Sequence, residues 1–558
     1  MTLKDIAGAA IAAADAKSAF AGKSAVDVDV LIVGLGPVGA VIANLLGRYG
    51  VHTLAIDKSK ELFLAPRAIA LDNEALRILQ QAGIGERDFE QMAIPCVRLR
   101  SPLLGEFGTI NTLGSIDGHP KLVTFYQPEL ERVLRTRLER YECVQVLLGA
   151  KLTAFTELKK HVIATLHFEQ AGDLMVRARY VIGADGASSL VRRLLGQKFE
   201  GRTYIEDWLI VDAHKCGRTI NHVEFICDHR RPGPHMPAPG GRERWEFKLH
   251  PEETREEMES DARIHELLAP RDTPQEVNIE RKAVYRFHAR VADAFSKERV
   301  FLAGDAAHIT PPFVGQGLVA GLRDAANLCW KLAWVVKGHA SADILDSYDA
   351  ERRPHAKAMI RMAKLMGKLV MPRNAAVALL THGFLRAARS VPPLRRYFDE
   401  LGIKPKNRFA SGLFVKGRSA AKLLRGSTLP QGYVRRRDGD IRLSDDAIDA
   451  KFTLIGFGVD PYPLLDARLL QQFTAAGGQV LQIAYRGQRP ATGTQRCWED
   501  VTGVFLPGLA GVGWAAVIRP DRTILHDGPV TQVDRLVRES LQLLGAPLSH
   551  PESLAHAH

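Results

Sequence analysis

The stretch ERVFLAGDAAHITPPFVGQGLVAGLRDAANLCWKL, residues 298–332, decides the fold expected for this chain. It opens as a short apolar strand at 300–303, and Gly304-Asp305 then places a carboxylate at the carboxyl end of that strand. From Leu318 onward the apolar residues recur at helical spacing. The acid can accept hydrogen bonds from ligand hydroxyls, and the free N–H groups of a helix start attract an anion. A bare turn would need neither the acid nor so many glycines, so the stretch predicts a ligand site.

A second unit, near the N-terminus, has the order strand, glycine-rich turn, helix, strand and acid. An apolar strand at 28–33 runs into GLGPVG at 34–39, and a second strand at 51–56 ends at an aspartate. The glycines permit a tight turn, the approach of a pyrophosphate and close helix packing, while the acid suits a ribose hydroxyl. The sequence therefore predicts a dinucleotide-binding unit whose contact residues are Gly34, Gly36, Pro37, Gly39, Asp57 and Lys58.

A third motif, RYVIGADGASSLVRR at 179–193, places Asp185 at the end of another strand. Together the three motifs resemble those of the FAD-dependent aromatic hydroxylases, the single-component flavoprotein monooxygenases related to 4-hydroxybenzoate hydroxylase. The resemblance implies that Asp305 binds the ribityl chain of FAD and that Asp185 serves FAD and NADPH binding. It implies further flavin contacts at Arg67, Gln127, Gly304, Pro312, Gly315, Gln316 and Gly317.

The resemblance also implies an α/β fold with a Rossmann-like FAD-binding domain of the 4-hydroxybenzoate hydroxylase type. The expected division is a flexible N-terminal arm at 1–25, the FAD-binding domain at 26–198 and 282–370, an inserted antiparallel β-sheet substrate domain at 199–281, a helical region and linker at 371–430, and a C-terminal domain at 431–558. The order of elements in the last part is typical of a thioredoxin-like domain. The chain lacks a CxxC pair, so dithiol chemistry is not expected. Related hydroxylases carry such a domain, and the resemblance implies packing or dimerisation as its role; a homodimer stays open.

Strand-like runs separated by Gly/Pro turns predict the antiparallel sheet, which in the family covers the substrate pocket. Side chains that could face this pocket are His222, Phe225, Arg242 and Trp245. Alternation along a strand does not tell which face points inward, so a core or surface role is the alternative for each. His308, just after the Gly-Asp pair, is the candidate catalytic base, although a structural histidine is the commoner role.

The reaction, too, is implied by the resemblance. NAD(P)H reduces FAD, O2 then gives a flavin C4a-hydroperoxide, and a phenol is hydroxylated ortho to its existing hydroxyl. The flavin carries the oxygen chemistry, so the protein must exclude water and provide an acceptor near the phenol. Segments such as 66–77, 225–232 and 242–247 are most similar to hydroxylases of 3-(3-hydroxyphenyl)propanoate and 3-hydroxycinnamate. Another phenol (a nitrocatechol, a resorcinol or a polyketide) and a non-catalytic FAD-binding scaffold remain alternatives, as does NADH in place of NADPH.

Composition narrows the class of protein. The 558 residues are too many for one compact core, so two or three domains are expected. The net charge of +12 is dispersed and no Lys/Arg run stands out, which favours small anionic ligands such as NADPH over nucleic acid. The apolar runs are too short to span a membrane, and the six cysteines form no CxxC pair, as is typical of a cytoplasmic protein. We expect neither a membrane nor a nucleic-acid partner, and no metal site.

Overall fold

A computed structural model describes residues 26–62, 67–169, 172–214, 219–269, 277–400, 404–488 and 496–545. The expected N-terminal arm at 1–25 lies outside the described residues. Most of the described chain is organised in three large β-sheets with helices packed against them. In the part of the chain that is described, no helix has both the length and the apolar character needed to cross a bilayer.

The first sheet contains the dinucleotide-binding unit. Its strand Val26–Val33 pairs in parallel with Thr53–Asp57 on one side and with Gly172–Gly183 on the other. Val300–Leu302 lies parallel to Gly172–Gly183, so the three motifs end at the same edge of the sheet. The spatial order is Val144–Leu148, Thr53–Asp57, Val26–Val33, Gly172–Gly183, Val162–Phe168 and Lys151–Glu157, with Val300–Leu302 between Gly172–Gly183 and Ser296–Lys297.

The second sheet is mainly antiparallel and larger than the sheet predicted from the sequence. Its strands run in the order His308–Ile309, Asn278–Ala292, Phe199–His214, Arg242–Lys248, Gly233–Ala238, Val223–Ile226, Cys96–Ser101 and Gly105–Asn111. The last two strands form a hairpin that joins through a parallel pairing of Cys96–Ser101 with Val223–Ile226. The local pattern could not predict this extension, because the partners are far apart in sequence.

The third sheet is mixed and belongs to the C-terminal part. Phe452–Phe457 pairs in parallel with Gly478–Ala484 and antiparallel with Trp514–Ile518. Two α-helices of this part are Ala467–Ala475 and Val533–Leu544. The full order is Ile441–Leu443, Tyr433–Arg435, Cys497–Asp500, Gly478–Ala484, Phe452–Phe457, Trp514–Ile518 and Ile524–Pro529.

The other elements are short strands and helices. Two small sheets consist of Ala70–Asp72, Leu122–Phe125 and Gln91–Ala93, and of Ser115–Ile116 with His119–Pro120. The remaining α-helices are Pro37–Arg48, Asn73–Gln81, Gln127–Arg137, Leu190–Leu194, Arg255–Met258, Asp261–Leu268, Gly317–Val336, Ser347–Val370, Ala375–Ala388, Pro392–Asp399 and Ser444–Ile448. Single 3-10 turns occur at Leu138–Arg140, Gly304–Ala306, Pro312–Val314, Ala342–Asp346, Tyr462–Leu464 and Val530–Gln532.

The helix Gly317–Val336 is the packing centre of the molecule, and all but a few of its residues are buried. Gly321 lets it approach the first helix, since a Cβ there would lie 2.6 Å from Val38 Cγ2. At its other end, the Trp334 ring contacts Tyr49 edge-on at 5.8 Å between centroids, and Trp334 Nε1 donates to the carbonyl of Ala476 at 2.9 Å. The helix therefore ties the first sheet to the C-terminal part.

Candidate active site

One large cavity, about 2050 Å³ in volume, begins at the carboxyl edge of the first sheet and continues along the second sheet. Most of the residues expected to bind FAD line it: Gly34, Gly36, Pro37, Asp57, Lys58, Arg67, Gln127, Asp185, Asp305, Pro312, Gly315, Gln316 and Gly317. Gly39, Gly304 and His308 lie behind this lining. The fold thus brings the three sequence motifs to one cavity, while the role of each residue toward a ligand stays a prediction.

The glycines of the first turn have different physical roles. Gly34 adopts a φ of +100°, and a Cβ on Gly39 would lie only 1.9 Å from the Gly34 carbonyl oxygen. Gly36, in contrast, would place a Cβ in the cavity, with no described atom within 4 Å of it. No described side chain caps the helix that begins at Pro37, so its first N–H groups are available to a ligand.

The carboxylate of Asp57 is held at the end of its strand by backbone groups. Its Oδ2 accepts from the N–H of Leu35 and its Oδ1 from the N–H of Ser59, both at 2.8 Å. Arg135 Nη2 donates to the carbonyl of Leu35 at 2.9 Å and so supports the same turn. The acid therefore has a defined position on the cavity edge, as expected of a ribose-binding carboxylate.

Asp305 lies in the turn Gly304–Ala306, with Oδ2 3.8 Å from Arg67 Nη1. Burial raises the pKa of Asp305, and the positive charge of Arg67 acts against that rise. The backbone next to this arginine is held by Gln127, whose Oε1 accepts from the N–H groups of Arg67 and Ala68 at 2.9 and 2.8 Å. Gln127 thus reaches the cavity and also fixes the segment that carries Arg67.

Asp185 also stabilises a helix start, which was not predicted from the sequence. Its Oδ2 accepts from the N–H groups of Leu190 and Val191 at 2.7 and 3.1 Å, which stabilises the start of the helix Leu190–Leu194. The buried Arg192 donates to the carbonyl of Ala306 at 2.8 Å. The third motif therefore supports the turn that holds Asp305.

His308 is buried behind the cavity lining. Its Nε2 lies 2.7 Å from Asp324 Oδ2, which also accepts from the N–H of Gly304 at 3.1 Å. Arg352 Nε donates to the other oxygen of Asp324 at 3.0 Å. Burial disfavours the charged carboxylate, but His308 and Arg352 hold the pKa of Asp324 below its usual value. His308 is thus bonded to Asp324 beneath the Asp305 turn and does not line the cavity, and its role stays a prediction.

The start of the helix Gly317–Val336 is open toward the cavity. Gly315, at a φ of +62°, ends the 3-10 turn Pro312–Val314, and no described side chain caps the helix at Gln316. The Gln316 side chain instead bonds sideways, with Nε2 3.0 Å from Asp72 Oδ2 and Oε1 3.1 Å from Arg323 Nη1. The first N–H groups of the helix remain available to an anionic or electron-rich group.

The part of the cavity along the second sheet is largely apolar and aromatic. Phe313 packs against Trp208 and Phe287 with ring centroids 6.0 Å apart in each case. The lining there includes Leu99, Ile210, Phe225, Met236, Phe287 and Met366. Such a surface suits an aromatic ring and excludes water.

Of the four side chains expected to face a substrate, only Phe225 lines the cavity. Trp245 is fully buried on the opposite face of its strand and stacks on His235 at 4.8 Å between ring centroids. Arg242 Nε pairs with Glu280 Oε2 at 2.9 Å outside the lining, and His222 also lies outside it. The strand's alternation explains Trp245, which points to a core cluster while Glu246 points to the cavity. Arg242 shares the face of Glu246, but it lies at the start of the strand and outside the lining.

The face of the strand Arg242–Lys248 that carries Arg244 and Glu246 holds charged groups that were not predicted from the sequence. Arg244 binds both oxygens of Asp212, at 2.6 and 3.0 Å, and also donates to the carbonyl of Arg67 at 3.0 Å. Two residues later, Glu246 lines the cavity itself. The alternating sequence RERWEFK indicates a strand with two different faces, but it does not show which face the hydrophobic core covers.

Comparisons with known proteins agree with this arrangement. Residues 27–363 match the family model described as FAD binding domain, and residues 426–543 match one described as HcaD C-terminal domain. The chain is 32% identical to the 3-(3-hydroxy-phenyl)propionate/3-hydroxycinnamic acid hydroxylase of Comamonas testosteroni, over 94% of this chain and 98% of that protein. It is 36% identical to hydroxylase 2 of the same name from Burkholderia vietnamiensis, over 89% of this chain and 92% of that protein.

Solved structures show the same fold. The flavin-dependent monooxygenase PieE, in complex with FAD and substrate, matches with a TM-score of 0.78 and 21% identity, over 94% of this chain and 100% of that one. Aklavinone-11 hydroxylase, with FAD and aklavinone, matches with a TM-score of 0.71 and 23% identity, over 92% of this chain and 99% of that one. At these identities the likeness concerns the fold.

Proposed function

The chain belongs to the FAD-dependent aromatic hydroxylases, and on that premise we propose that it hydroxylates 3-(3-hydroxyphenyl)propanoate, and 3-hydroxycinnamate, ortho to the phenol. One observation carries the proposal: a single cavity joins the groups expected to hold FAD to an apolar compartment lined by aromatic side chains. The names of the relatives at 32% and 36% identity supply the substrate. NADPH or NADH and O2 are the co-substrates that this reaction requires.

The cavity edge fits FAD. The space at Gly36 and the uncapped helix start at Pro37 suit a pyrophosphate, and Asp57 suits a ribose hydroxyl. Asp305 would accept from the ribityl chain, and the open start of the helix Gly317–Val336 would face the flavin ring. When bound, FAD supplies the transfer of electrons from NAD(P)H and the activation of O2. The protein's own part is to hold the phenol against the flavin and keep water away.

Turnover with a defined phenol tests the proposed substrate. FAD-loaded enzyme should oxidise NADPH or NADH much faster with 3-(3-hydroxyphenyl)propanoate than without it, and should yield the 2,3-dihydroxy product with little H2O2. Stimulated oxidation that releases mainly H2O2 would point to another phenol as the true substrate. No stimulation by any phenol in a panel would contradict the hydroxylase function and favour an FAD-binding scaffold.

Replacing Asp305 by alanine should weaken FAD binding by roughly 10- to 100-fold, because a hydrogen bond to a charged group contributes about 1.5–3 kcal/mol. The change removes a carboxylate that lies in the cavity lining without filling the space. The measurement is the FAD dissociation constant, obtained from the quenching of flavin fluorescence. Asp173→Ala, at an exposed site outside the lining, is the matched control and should leave FAD affinity unchanged. An Asp305→Ala protein with wild-type affinity would contradict the assigned ribityl contact.

We also infer that the second sheet acts as the substrate domain and that the C-terminal part is a thioredoxin-like domain with a structural role. The parallel pairing of Phe452–Phe457 with Gly478–Ala484, followed by two antiparallel strands and a helix, supports the second assignment. The absence of a CxxC pair from the sequence argues for packing rather than dithiol chemistry. A homodimer is the oligomer to test by light scattering, and dependence on NAD(P)H favours the cytoplasm.

A further inference from the structure

Glu246 is a carboxyl group in the part of the cavity along the second sheet, where apolar side chains predominate and Tyr285, Arg286 and His288 also belong to the lining. It lies in the middle of the strand Arg242–Lys248, opposite Ile210 on the neighbouring strand, and both residues line the cavity. Only 6% of its surface is exposed. Among the described residues of the second sheet, it is the one carboxyl that lines this cavity. Burying a carboxyl group beside an apolar pocket costs free energy, so such a group usually has a hydrogen-bond partner or a function.

The charges around Glu246 come from its own strand and from two neighbours. Arg244 precedes it on the same face, Asp212 lies on the strand Phe199–His214, and Arg281 lies on the strand Asn278–Ala292. Asp212 already binds both arginines, at 2.6 Å to Arg244 Nε and 3.1 Å to Arg281 Nη1. Tyr285 accepts from Arg281 Nη2 at 2.6 Å through its hydroxyl oxygen.

These surroundings set the charge state of Glu246. Burial raises its pKa to about 7, with the negative charge of Asp212 adding to the rise and Arg244 and Arg281 acting against it. The strand on the other side places Pro234 beside the cavity, which adds no titratable group. The carboxyl therefore changes its charge near neutral pH, which is the range in which a general base is most effective.

Other titratable groups near the same compartment are less suited to accept a proton from a phenol. His308 lies behind the lining and pairs with Asp324. His288 lines the cavity, but its Nδ1 lies 3.1 Å from Thr203 Oγ1, and burial together with Arg290 and Arg286 lowers its pKa. Glu246 alone combines exposure to the apolar compartment with an acid that can be ionised at neutral pH.

We propose that Glu246 is a catalytic residue that accepts the proton of the substrate's phenolic hydroxyl; this rests on the proposed function with a phenolic substrate. The phenol's O–H bond breaks, its electron pair stays on the phenol oxygen, and the proton forms a new O–H bond with the carboxylate of Glu246. Bound FAD and O2 would supply the oxygen atom: as the ortho carbon forms its new C–O bond, the O–O bond would break and its electron pair would stay on the oxygen left with the cofactor. That carbon later loses its own proton, which restores the aromatic ring.

Binding without turnover provides the first test. The oxidised, FAD-loaded enzyme, without NAD(P)H, is titrated with 3-(3-hydroxyphenyl)propanoate and with 3-phenylpropanoate, which lacks the hydroxyl, between pH 6 and 8. In the wild type, affinity for the phenol relative to the analogue should rise about tenfold as Glu246 ionises, because a charged acceptor forms the stronger hydrogen bond. Glu246→Gln should lose this rise, while Glu200→Gln, an exposed change in the same sheet, should retain it.

Turnover provides the second test. Glu246→Gln should lower the rate of hydroxylation by roughly 100- to 1000-fold, the usual contribution of a general base. This decrease in rate should be smaller with ring-fluorinated substrates, because their more acidic phenols lose a proton more easily without a general base. A merely structural role of Glu246 would not produce that trend. A Glu246→Gln enzyme that keeps both the wild-type pH dependence of binding and the wild-type rate would overturn the proposal.

Different results would contradict the proposed substrate and the proposed role of Glu246. If the wild type binds no 3-(3-hydroxyphenyl)propanoate, the proposed substrate is overturned, and the binding test is repeated with phenols that do stimulate NAD(P)H oxidation. If the enzyme binds and hydroxylates a phenol but Glu246→Gln changes neither quantity, the substrate class stands and the assignment of Glu246 is overturned.

Discussion

Replacing Gly36 by valine is expected to abolish FAD binding and leave the folded protein intact. An added Cβ would enter the cavity with no described atom within 4 Å, so the protein itself has room for the side chain. The backbone there, with φ −68° and ψ −174°, is an extended conformation that valine adopts readily. The isopropyl group would instead occupy the approach of the pyrophosphate to the helix that begins at Pro37. FAD affinity should fall by at least roughly 100-fold, a loss of about 2.7 kcal/mol.

Flavin content after purification and the melting temperature of the apoprotein give the two readings that this prediction needs. Gly39→Ala is the contrasting variant, because its Cβ would lie 1.9 Å from the Gly34 carbonyl oxygen and would force the turn apart. We expect Gly39→Ala to lower the melting temperature of the apoprotein and Gly36→Val to leave it unchanged. Full flavin content in Gly36→Val would show that the pyrophosphate does not lie where the motif predicts.

The contrast between these glycines shows what a sequence can disclose. Gly34, Gly36 and Gly39 were predicted together because each responds to a local demand of the same turn. The acids Asp57 and Asp305 were found for a similar reason, since the end of a parallel strand fixes where they lie. These features depend on residues close in sequence, and all of them except Gly39 line the same cavity.

Other features depend on which distant elements pack together. Trp245 seemed as suited to the pocket as its neighbours, but a core cluster covers that face of the strand and leaves Glu246 toward the cavity. The surroundings of His308 could not be predicted, because its partner Asp324 and the Arg352 that donates to Asp324 come from two separate helices. The direction of a strand's faces and the pairing of buried charges are set by tertiary packing, which no local pattern contains.

The second large effect is expected at Glu351, where buried charges join the C-terminal part to the central helix. Arg519 binds both carboxylate oxygens of Glu351, at 2.7 and 2.9 Å, and Lys331 Nζ lies 2.9 Å from Oε2. The N–H of Leu413 also donates to Oε1 at 2.7 Å. The side chains of Glu351, Arg519 and Lys331 are completely buried. Removing the charge would therefore take from Lys331 its paired carboxylate and leave Arg519 with Asp521 as its counter-ion.

Glu351→Gln should lower the free energy of unfolding by about 3–5 kcal/mol, the usual cost of breaking a buried ion pair from one side. Urea denaturation can be followed through the fluorescence of Trp330, whose ring lies 5.2 Å from the Arg519 guanidinium. Asp449→Asn is the control, because Asp449 pairs with Arg48 at 2.7 Å while remaining 53% exposed. The loss there should be about 1 kcal/mol or less.

The dependence of this loss on pH separates a charge effect from a packing effect. Burial would raise the pKa of Glu351, but Arg519 and Lys331 hold it well below its usual value. A carboxyl with a lowered folded-state pKa stabilises the protein above its unfolded pKa, about 4.3, and loses that contribution as the pH falls toward the folded value. The difference between wild type and Glu351→Gln should therefore shrink below about pH 4. A small loss that is the same at every pH would mean that uncharged contacts, such as the hydrogen bond from Trp334 Nε1 to the carbonyl of Ala476, hold this interface instead.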